Sequence, residues 1–242
     1  MEAPLAYDKQ QAQHEFTRWS ESYDRGILQF LLFGPSHRAL ITRIKTVAPN
    51  RPIKILDIGC GTGILAAKLR DALPLCKVWG IDLNAEMLGQ GRDRWLRHAS
   101  HVLPVQGDSE QLPFDGEVFD FVTCANSFHH YPNQAKAIAE MHRVLKPGGR
   151  LMLIDGYRDA PYGWFIYDVC VAGVEGEVHH ASSRQFRDLF EQAGLQAVAQ
   201  RVHRGLAPFL FNEAVGAHPV SVIPGPHFLR TSIPSLSRES ID

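Results

Sequence analysis

The segment ILDIGCGTG, residues 55–63, is the part of the chain whose residue types point most directly to ligand chemistry. An apolar run leads into three glycines, Gly59, Gly61 and Gly63, and an amphipathic stretch follows. Glycine permits positive φ angles, and a ligand can approach main-chain N–H groups because no Cβ is in the way. The order strand, tight loop, helix predicts a cradle for a nucleotide-like ligand, although a ligand-free turn can contain the same glycines.

The spacing within this loop separates the candidate ligands. A dinucleotide fingerprint G-x-G-x-x-G that starts at Gly59 needs its third glycine where the chain has Ile64. No Gly-Lys-Ser/Thr follows, so the loop is not a Walker loop. Asp57 would repel a pyrophosphate but suits a cationic ammonium group. The loop therefore favours an aminoacyl nucleoside and disfavours an NAD-linked oxidoreductase.

Further polar residues follow the next two predicted strands. Asp82 ends the run VWGID, where a carboxylate can accept two hydrogen bonds from a ribose diol, in an NAD site as well, or can cap a helix. Asp108 can accept from an adenine amino group and the main chain at Ser109 can meet the ring edge, although Gly-Asp-Ser alone also makes a turn. Successive parallel strands end at one edge of a sheet, so we expect these groups to surround a single ligand.

Two adjacent histidine pairs, His129-His130 and His179-His180, supply the candidate bases. Histidine has a pKa suited to proton transfer near neutral pH. The first pair follows a predicted strand, so we predict that His129 or His130 faces the reaction cavity as a base or substrate contact. The second pair lies in a loop that can close over the substrate. Neighbours in an extended chain point in opposite directions, which disfavours joint metal binding, and no metal is predicted.

These residues need a scaffold that brings strand ends together, and the chain from residue 53 onward has the pattern of one. Short apolar runs alternate with longer amphipathic stretches, as in βα units stacked into a parallel sheet. The predicted strands are 53–58, 77–81, 102–106, 119–124 and 150–155, and two β-like runs follow at 196–202 and 207–211. The predicted helices are 63–72, 85–98, 133–145 and 183–193.

The chain divides into three regions on composition. Residues 1–50 have helical composition interrupted by Gly34-Pro35, which predicts two or three helices that form a lid over the domain. Residues 51–215 contain the βα pattern and predict one ligand-binding domain. Residues 216–242 are rich in Pro and Ser and form a C-terminal tail.

Bulk composition bears on partners and compartment. The 25 basic and 26 acidic residues give a formal net charge of −1, and no basic block can follow a phosphate backbone, so we expect no nucleic-acid partner. The four cysteines form no C-x-x-C pair, which favours reduced thiols. We find neither a signal peptide nor the run of about 18 apolar residues that a membrane span needs. We expect a cytoplasmic protein, with a homo-oligomer left open.

In this order, the motifs resemble those of the class I S-adenosylmethionine-dependent methyltransferases, and more narrowly the group that includes ubiquinone and menaquinone C-methyltransferases. The resemblance covers residues 16–211 and rests on FTRWSESYD, ILDIGCGTG, VWGIDL, GDSEQLPF, FDFVTCANSFHHYPN and EMHRVLKPGGRLMLID. It implies a Rossmann-like α/β fold with a seven-stranded, mostly parallel sheet, helices on both faces and an N-terminal helical lid. It also implies S-adenosyl-L-methionine as the cofactor.

The resemblance assigns roles to further residues. Cys60 would line the methionine and ribose portions of the cofactor through its backbone, as would the glycines beside it. Leu83 would pack on the adenine, Asn126 would contact the methionine end, and Tyr23 would lie in a helix folded over the cofactor. Pattern and resemblance together predict as cofactor-binding residues Tyr23, Asp57, Gly59, Cys60, Gly61, Asp82, Leu83, Asp108, Ser109 and Asn126.

The acceptor is predicted to be a small, aromatic or apolar organic molecule. Aromatic residues cluster around the expected cavity, at Phe128, Tyr131, Tyr157, Tyr162, Trp164, Phe165 and Tyr167. The N/D-P-P-aromatic motif of enzymes that methylate exocyclic or amide nitrogens is absent, since the corresponding segment reads ANSFHHYPN. We predict methyl transfer by in-line displacement. The alternative is a protein that binds S-adenosylmethionine without catalysis, as a partner or sensor.

Overall fold

The computed structural model describes residues 27–171 and 178–217. Seven strands form one sheet in the order β3-β2-β1-β4-β5-β7-β6. Strands β1 to β5 pair in parallel, and β7 is antiparallel to both β5 and β6. Their bounds are β1 Ile53–Ile58, β2 Cys76–Asp82, β3 Val102–Gln106, β4 Phe119–Ala125, β5 Leu145–Gly156, β6 Gln196–His203 and β7 Phe209–Val215. The predicted Rossmann-like, mostly parallel sheet is confirmed.

Helices cover both faces of the sheet. They are α1 Ile27–Val47, α2 Ile64–Ala72, α3 Ala85–Gln90, α4 Arg92–Arg97, α5 Gln134–Val144, α6 Pro161–Trp164 and α7 Ser183–Gln192. A 3₁₀ turn, Phe128–His130, follows β4, and a π-helix, Phe165–Val171, continues from α6. The single helix predicted at 85–98 is instead α3 and α4, which meet at Gly91, where a side chain would overlap the carbonyl of Thr62.

Helix α1 runs through Gly34-Pro35, where the sequence predicted an interruption. The hydroxyl of Ser36 donates to the carbonyl of Phe33 at 2.8 Å, and farther along the helix Leu40 and Ile44 are fully buried. Burying two such side chains contributes about 3–6 kcal/mol, which offsets the roughly 3 kcal/mol that a proline costs inside a helix. The described part of the predicted lid is therefore a helix of the core, and residues 1–26 lie outside the described residues.

Each face of the sheet carries its own core. Along β1, Leu56 and Ile58 pack with α5 and α7 on one face, while Ile53 and Ile55 pack with α1 and α2 on the other. This alternation follows because successive side chains of a strand point to opposite faces. Burial on both faces fixes the strands, so the groups at their carboxyl ends are held at one edge. Within the described ranges, no helix has both the length and the apolarity to cross a membrane.

Candidate active site

The glycine loop joins β1 to α2 with the backbone that the sequence predicts. Gly59, Gly61 and Gly63 have φ angles of 65°, 52° and 76°. The N–H groups of Gly59 and Cys60 donate to the carbonyl of Ile81 at 2.9 and 3.1 Å. The loop is therefore tied to the end of β2 by hydrogen bonds of the protein itself.

Two of the three glycines are required by the protein's own side chains. A Cβ on Gly59 would overlap the side chain of Ser127, and a Cβ on Gly63 would overlap the ring of Trp95. At Gly61 the nearest heavy atom would be a methionine methyl at 3.2 Å, which is flexible. Close approach of a ligand is thus not the reason for glycine at position 63, where Trp95 already occupies the space.

Asp57 is a buried carboxylate with one oxygen left over. The side chain accepts a hydrogen bond from Thr123 at 2.8 Å through Oδ1, whereas Oδ2 has no partner among the described residues. Burial raises the pKa of Asp57 to about 7. A buried polar atom without a partner is costly, and a cationic ligand group would satisfy it. The residue fits the predicted contact with the ammonium group of the cofactor's methionine portion.

Cofactor affinity is expected to fall in acid because of Asp57. From about pH 7 to about pH 5.5, protonation removes the charge that attracts the ammonium group, and the ionised fraction of an acid with a pKa of about 7 falls more than tenfold. We expect the dissociation constant of S-adenosylhomocysteine, measured calorimetrically, to rise about tenfold over this range. The Asp57→Asn variant should bind weakly with a flatter profile. Equal slopes for both proteins would remove Asp57 from the site.

Asp82 stands at the rim of the glycine loop. One oxygen accepts from the N–H of Gly61 at 2.7 Å, and the other accepts from the N–H of Asn84 at 2.9 Å. Burial raises the pKa of its carboxyl group. Asn84 in turn caps α3 by accepting from the N–H of Glu86 at 2.8 Å. The carboxylate is thus fixed at the end of β2, next to the loop, as predicted for a residue that binds a ribose diol.

Removing this carboxylate is expected to weaken cofactor binding strongly. Asp82→Ala loses two charge-assisted hydrogen bonds to the ribose, and we expect a 30- to 100-fold higher dissociation constant, about 2–3 kcal/mol. Glu86→Ala removes an exposed carboxylate nearby and is the matched control, with an expected change below about twofold. Calorimetric titration with S-adenosylhomocysteine measures both. An unchanged affinity in Asp82→Ala would show that the ribose assignment is wrong.

The end of β3, the third predicted strand, lies next to the end of β2. The N–H of Gly107 donates to the carbonyl of Asp82 at 3.0 Å, so the segment after β3 is held against the end of β2. Asp108 accepts from the N–H of Glu110 at 2.9 Å, which makes the turn that Gly-Asp-Ser also suggested. Leu83 and Ser109 are half-buried. The structure therefore brings together the strand ends that carry the predicted methionine, ribose and adenine contacts.

Asn126, at the end of β4, has a positive φ of 56°. Its N–H donates to the carbonyl of Ile154 at 2.8 Å, and its side chain donates to Ser36 Oγ at 2.9 Å. The predicted main-chain contact to the cofactor stays a prediction, while the side chain links β4 to α1. Tyr23 lies outside the described residues.

A half-buried hydroxyl cluster that the sequence did not indicate lies against the glycine loop. Ser127 Oγ is 3.1 Å from the hydroxyl of Tyr131 and 3.3 Å from the sulfur of Cys124. Burial raises the pKa of the Tyr131 phenol well above its usual value, so the phenol stays protonated. Both hydroxyls sit beside Gly59, because a Cβ there would meet them. They are polar groups placed at the predicted methionine end of the site.

His129 and Asp155 form a buried pair at the ends of β4 and β5. The Nδ1 atom of His129 lies 2.6 Å from Asp155 Oδ1, and the N–H groups of His129 and Gly156 donate to the carboxylate at 2.9 and 2.8 Å. Burial alone would raise the pKa of Asp155, but the hydrogen bond from His129 and the interaction with the His180 ring at 3.7 Å outweigh it and hold the pKa far below its usual value. Asp155 therefore stays ionised and orients His129.

One histidine of each predicted pair meets Asp155. The ring of His180 lies 4.3 Å from that of His129, centroid to centroid, and its Nδ1 is 3.7 Å from Asp155 Oδ1. The centroid of the His130 ring lies 4.1 Å from that of the His129 ring. His179 is exposed, and its N–H donates to the carbonyl of His129 at 2.8 Å. The sequence predicted His129 or His130 but gave no reason to join His180 or Asp155 to them.

The His129, Asp155 and His180 side chains also have the residue types of a cation site, with donor atoms within 4.8 Å of one another. The sequence disfavoured a metal because adjacent histidines point apart, and the structure shows that one member of each pair can converge. The 2.6 Å between His129 and Asp155 is shorter than the about 3.3 Å between two ligands of one tetrahedral zinc ion. A hydrogen-bonded pair describes this geometry better than a ligand set.

Comparison with known proteins gives a consistent result. A family of methyltransferase domains matches residues 55–149. A ubiquinone/menaquinone biosynthesis C-methyltransferase of Ralstonia pickettii is 33% identical over 200 residues, which cover 74% of this chain and 82% of that protein. A protein of the same description from Bordetella avium is 41% identical over 124 residues, 48% of each chain.

Solved structures share the fold at low sequence identity. Magnesium protoporphyrin IX methyltransferase of Synechocystis, crystallised with bound S-adenosylhomocysteine, superposes with a TM-score of 0.70 at 18% identity and covers 87% of this chain and all of its own. A methyltransferase of Thermotoga maritima gives a TM-score of 0.66 at 22% identity and covers 84% of this chain and 99% of its own. The β3-β2-β1-β4-β5-β7-β6 sheet is thus a fold on which methyl transfer is carried out.

Proposed function

Since the chain belongs to the class I S-adenosylmethionine-dependent methyltransferases and is an enzyme of that class, we propose that it methylates a ring carbon of a small hydroxylated aromatic acceptor, with His129 as the base. The curated relatives at 33–41% identity are ubiquinone/menaquinone C-methyltransferases. The observation that carries the proposal is the His129–Asp155 pair, buried at the carboxyl ends of β4 and β5, beside the strand ends that carry Asp57 and Asp82.

The cofactor supplies a methyl group on a positively charged sulfur, which is already a good leaving group. Three groups of the protein are suited to bind this cofactor: the unpartnered oxygen of Asp57, the positive-φ loop around Gly61, and the carboxylate of Asp82. What remains for the protein is to position the acceptor, exclude water and make the acceptor nucleophilic.

His129 provides the last of these. An aromatic carbon becomes a strong nucleophile when a hydroxyl on its ring loses a proton, and the Nε2 atom of His129 can take that proton. Asp155 holds Nδ1–H of the ring, which fixes the tautomer with a lone pair on Nε2 and stabilises the imidazolium that forms. As the new carbon–methyl bond forms, the sulfur–methyl bond breaks. The ring carbon then loses its own proton to water while the imidazolium of His129 returns a proton to the ring oxygen, and the ring becomes aromatic again.

His129 is a better candidate for the base than His130. Only His129 is hydrogen-bonded to Asp155, while His130 is half-buried and contacts the His129 ring. An imidazole held by an ionised carboxylate is the arrangement in which other enzymes use histidine as a base. The pair thus separates two candidates that the sequence alone left equal.

The compartment and the partners that we propose for the enzyme are based on its cysteines and its net charge. All four cysteines are free, which agrees with a reducing compartment, and we propose that the enzyme acts in the cytoplasm. A net charge of −1 fits a small-molecule acceptor and no nucleic-acid partner. A homo-oligomer stays a prediction, which sedimentation of the purified protein would test.

The decisive experiment offers the purified enzyme S-adenosylmethionine and a 2-prenyl-1,4-naphthoquinol kept reduced under anaerobic conditions. We expect S-adenosylhomocysteine and a product with one additional methyl group, which tandem mass spectrometry should place on a ring carbon. The 1,4-dimethoxy analogue has no ionisable hydroxyl and is the matched control, expected to give no product. Methylation on oxygen, or equal turnover of the dimethoxy compound, would refute the proposed chemistry.

A further inference from the structure

His180 is a buried histidine whose Nε2 has no hydrogen-bond partner among the described residues, while its Nδ1 lies 3.7 Å from the carboxylate of Asp155. Its side chain is 1% exposed. A buried polar atom without a hydrogen bond is destabilising, so such an atom in a native structure calls for an explanation. The Nε2 atom of His180, beside the proposed base, points to a ligand group that this nitrogen binds.

The position of His180 is set by its backbone and by ring packing. Its carbonyl accepts from Arg158 at 2.8 Å, and Gln134 donates to the carbonyl of His179 at 2.8 Å. The centroid of the His180 ring lies 4.3 Å from that of His129 and 5.0 Å from that of Tyr167. These contacts hold Nε2 in place although it has no partner among the described residues, which is how a preorganised binding group is built.

The carboxylate of Asp155 decides which nitrogen is available. Nδ1 of His180 faces Asp155 Oδ1 at 3.7 Å, so the negative charge favours a proton on Nδ1. The lone pair then lies on Nε2, as it does in His129. Two neighbouring imidazoles oriented by one carboxylate thus offer two hydrogen-bond acceptors, of which the reaction needs only one as a base.

The segment that covers His180 is unusual in its own right. Tyr167 belongs to the π-helix Phe165–Val171, and its hydroxyl donates to the carbonyl of Pro208 at 2.8 Å. A π-helix is rare and is often found at functional sites. A side chain on Gly156 would overlap the Tyr167 ring, so the end of β5 is shaped to bring this ring down on His180.

We propose that His180 is a specificity-determining residue of this site: its Nε2 accepts a hydrogen bond from a second hydroxyl of the acceptor, while His129 acts on the first. The proposal rests on the proposed function for the acceptor class. What it adds is that His180 is the residue that makes the site prefer an aromatic ring with two hydroxyl groups to a ring with one. A site built to bond a hydroxyl rejects the analogue that lacks it, because its buried polar atom is then left unpaired.

The test compares the binding of two probes, 1,4-dihydroxynaphthalene and 1-naphthol, to enzyme saturated with S-adenosylhomocysteine in anaerobic buffer. We expect the wild type to bind the diol at least about tenfold more tightly than the mono-ol, as one additional hydrogen bond supplies. His180→Phe keeps the ring and removes both nitrogens, and the preference should fall below about threefold. His180→Gln retains an acceptor near Nε2 and should keep an intermediate preference. His179→Phe, at the exposed neighbour, should behave as the wild type.

Each outcome bears on the proposal separately from the activity. Comparing ratios between probes cancels general effects of a substitution on the fold or on affinity. A full preference for the diol in His180→Phe, or no preference in the wild type, overturns the role of His180. A failure of both probes to bind also overturns it. One equivalent of tightly held zinc in the purified protein would overturn it as well, because the metal would account for the ring nitrogen without a partner. If the naphthoquinol is not methylated but the binding preference follows His180, only the proposed reaction fails.

Discussion

Replacing His129 by asparagine is expected to lower kcat for the naphthoquinol by about 10²- to 10⁴-fold, the usual contribution of a positioned general base. The asparagine amide can take the place of Nδ1–H and keep the hydrogen bond to Asp155, which His129 makes at 2.6 Å. What the variant loses is the second nitrogen. The substitution therefore removes the base and retains the contact that supports the structure.

Two measurements separate this prediction from a general disturbance of the site. The dissociation constant of S-adenosylhomocysteine should stay within about twofold, because no cofactor contact is assigned to His129. His130→Asn, the comparator at the ring packed 4.1 Å away, should lose far less activity. Comparable losses in both variants would contradict the assignment of the base.

The sequence predicted those parts of the fold that are determined by local sequence patterns. Strands β1 and β3 have the predicted bounds, because each is a short, largely apolar run that ends at a glycine, Gly59 or Gly107. The loop glycines, Asp57 and Asp82 lie on one stretch of chain that contains two strand ends, so their placement follows from the βα order alone. This half of the site could be found without coordinates.

The acceptor side could not be found in the same way. Asp155 and His180 are separated by the whole π-helix segment, and periodicity carries no information on which loop returns to which strand. The signal for Asp155 was present, as an acidic residue that ends a strand in LMLID, but it had no partner in the local pattern. Helix α1 likewise continues through Pro35 because Leu40 and Ile44 are buried by distant strands, and tertiary packing outweighs local preference.

Substitution of Gly63 is expected to destabilise the fold strongly. The glycine motif is correctly identified from the sequence, but the reason for glycine at this position differs from the one that the motif suggests. The motif suggests that all three glycines make room for the ligand, whereas a Cβ at position 63 would overlap the buried ring of Trp95. Gly63→Ala combines a positive φ of 76°, which costs about 1–2 kcal/mol, with overpacking that costs about 1–3 kcal/mol. We expect the free energy of unfolding in urea to fall by about 3 kcal/mol.

Gly148→Ala is the matched control, because Gly148 has nearly the same φ, 74°, and nothing within 4 Å of the added Cβ. It should lose only the backbone part, about 1 kcal/mol, so the difference between the two variants measures the contact with Trp95. If space for the ligand were instead the reason for Gly63, the two variants would unfold alike and only Gly63→Ala would bind S-adenosylhomocysteine more weakly. The packing between the loop and Trp95 predicts instead that Gly63→Ala is the less stable of the two variants. The third glycine then shapes the cofactor site indirectly, because it allows α4 to pack against the start of α2.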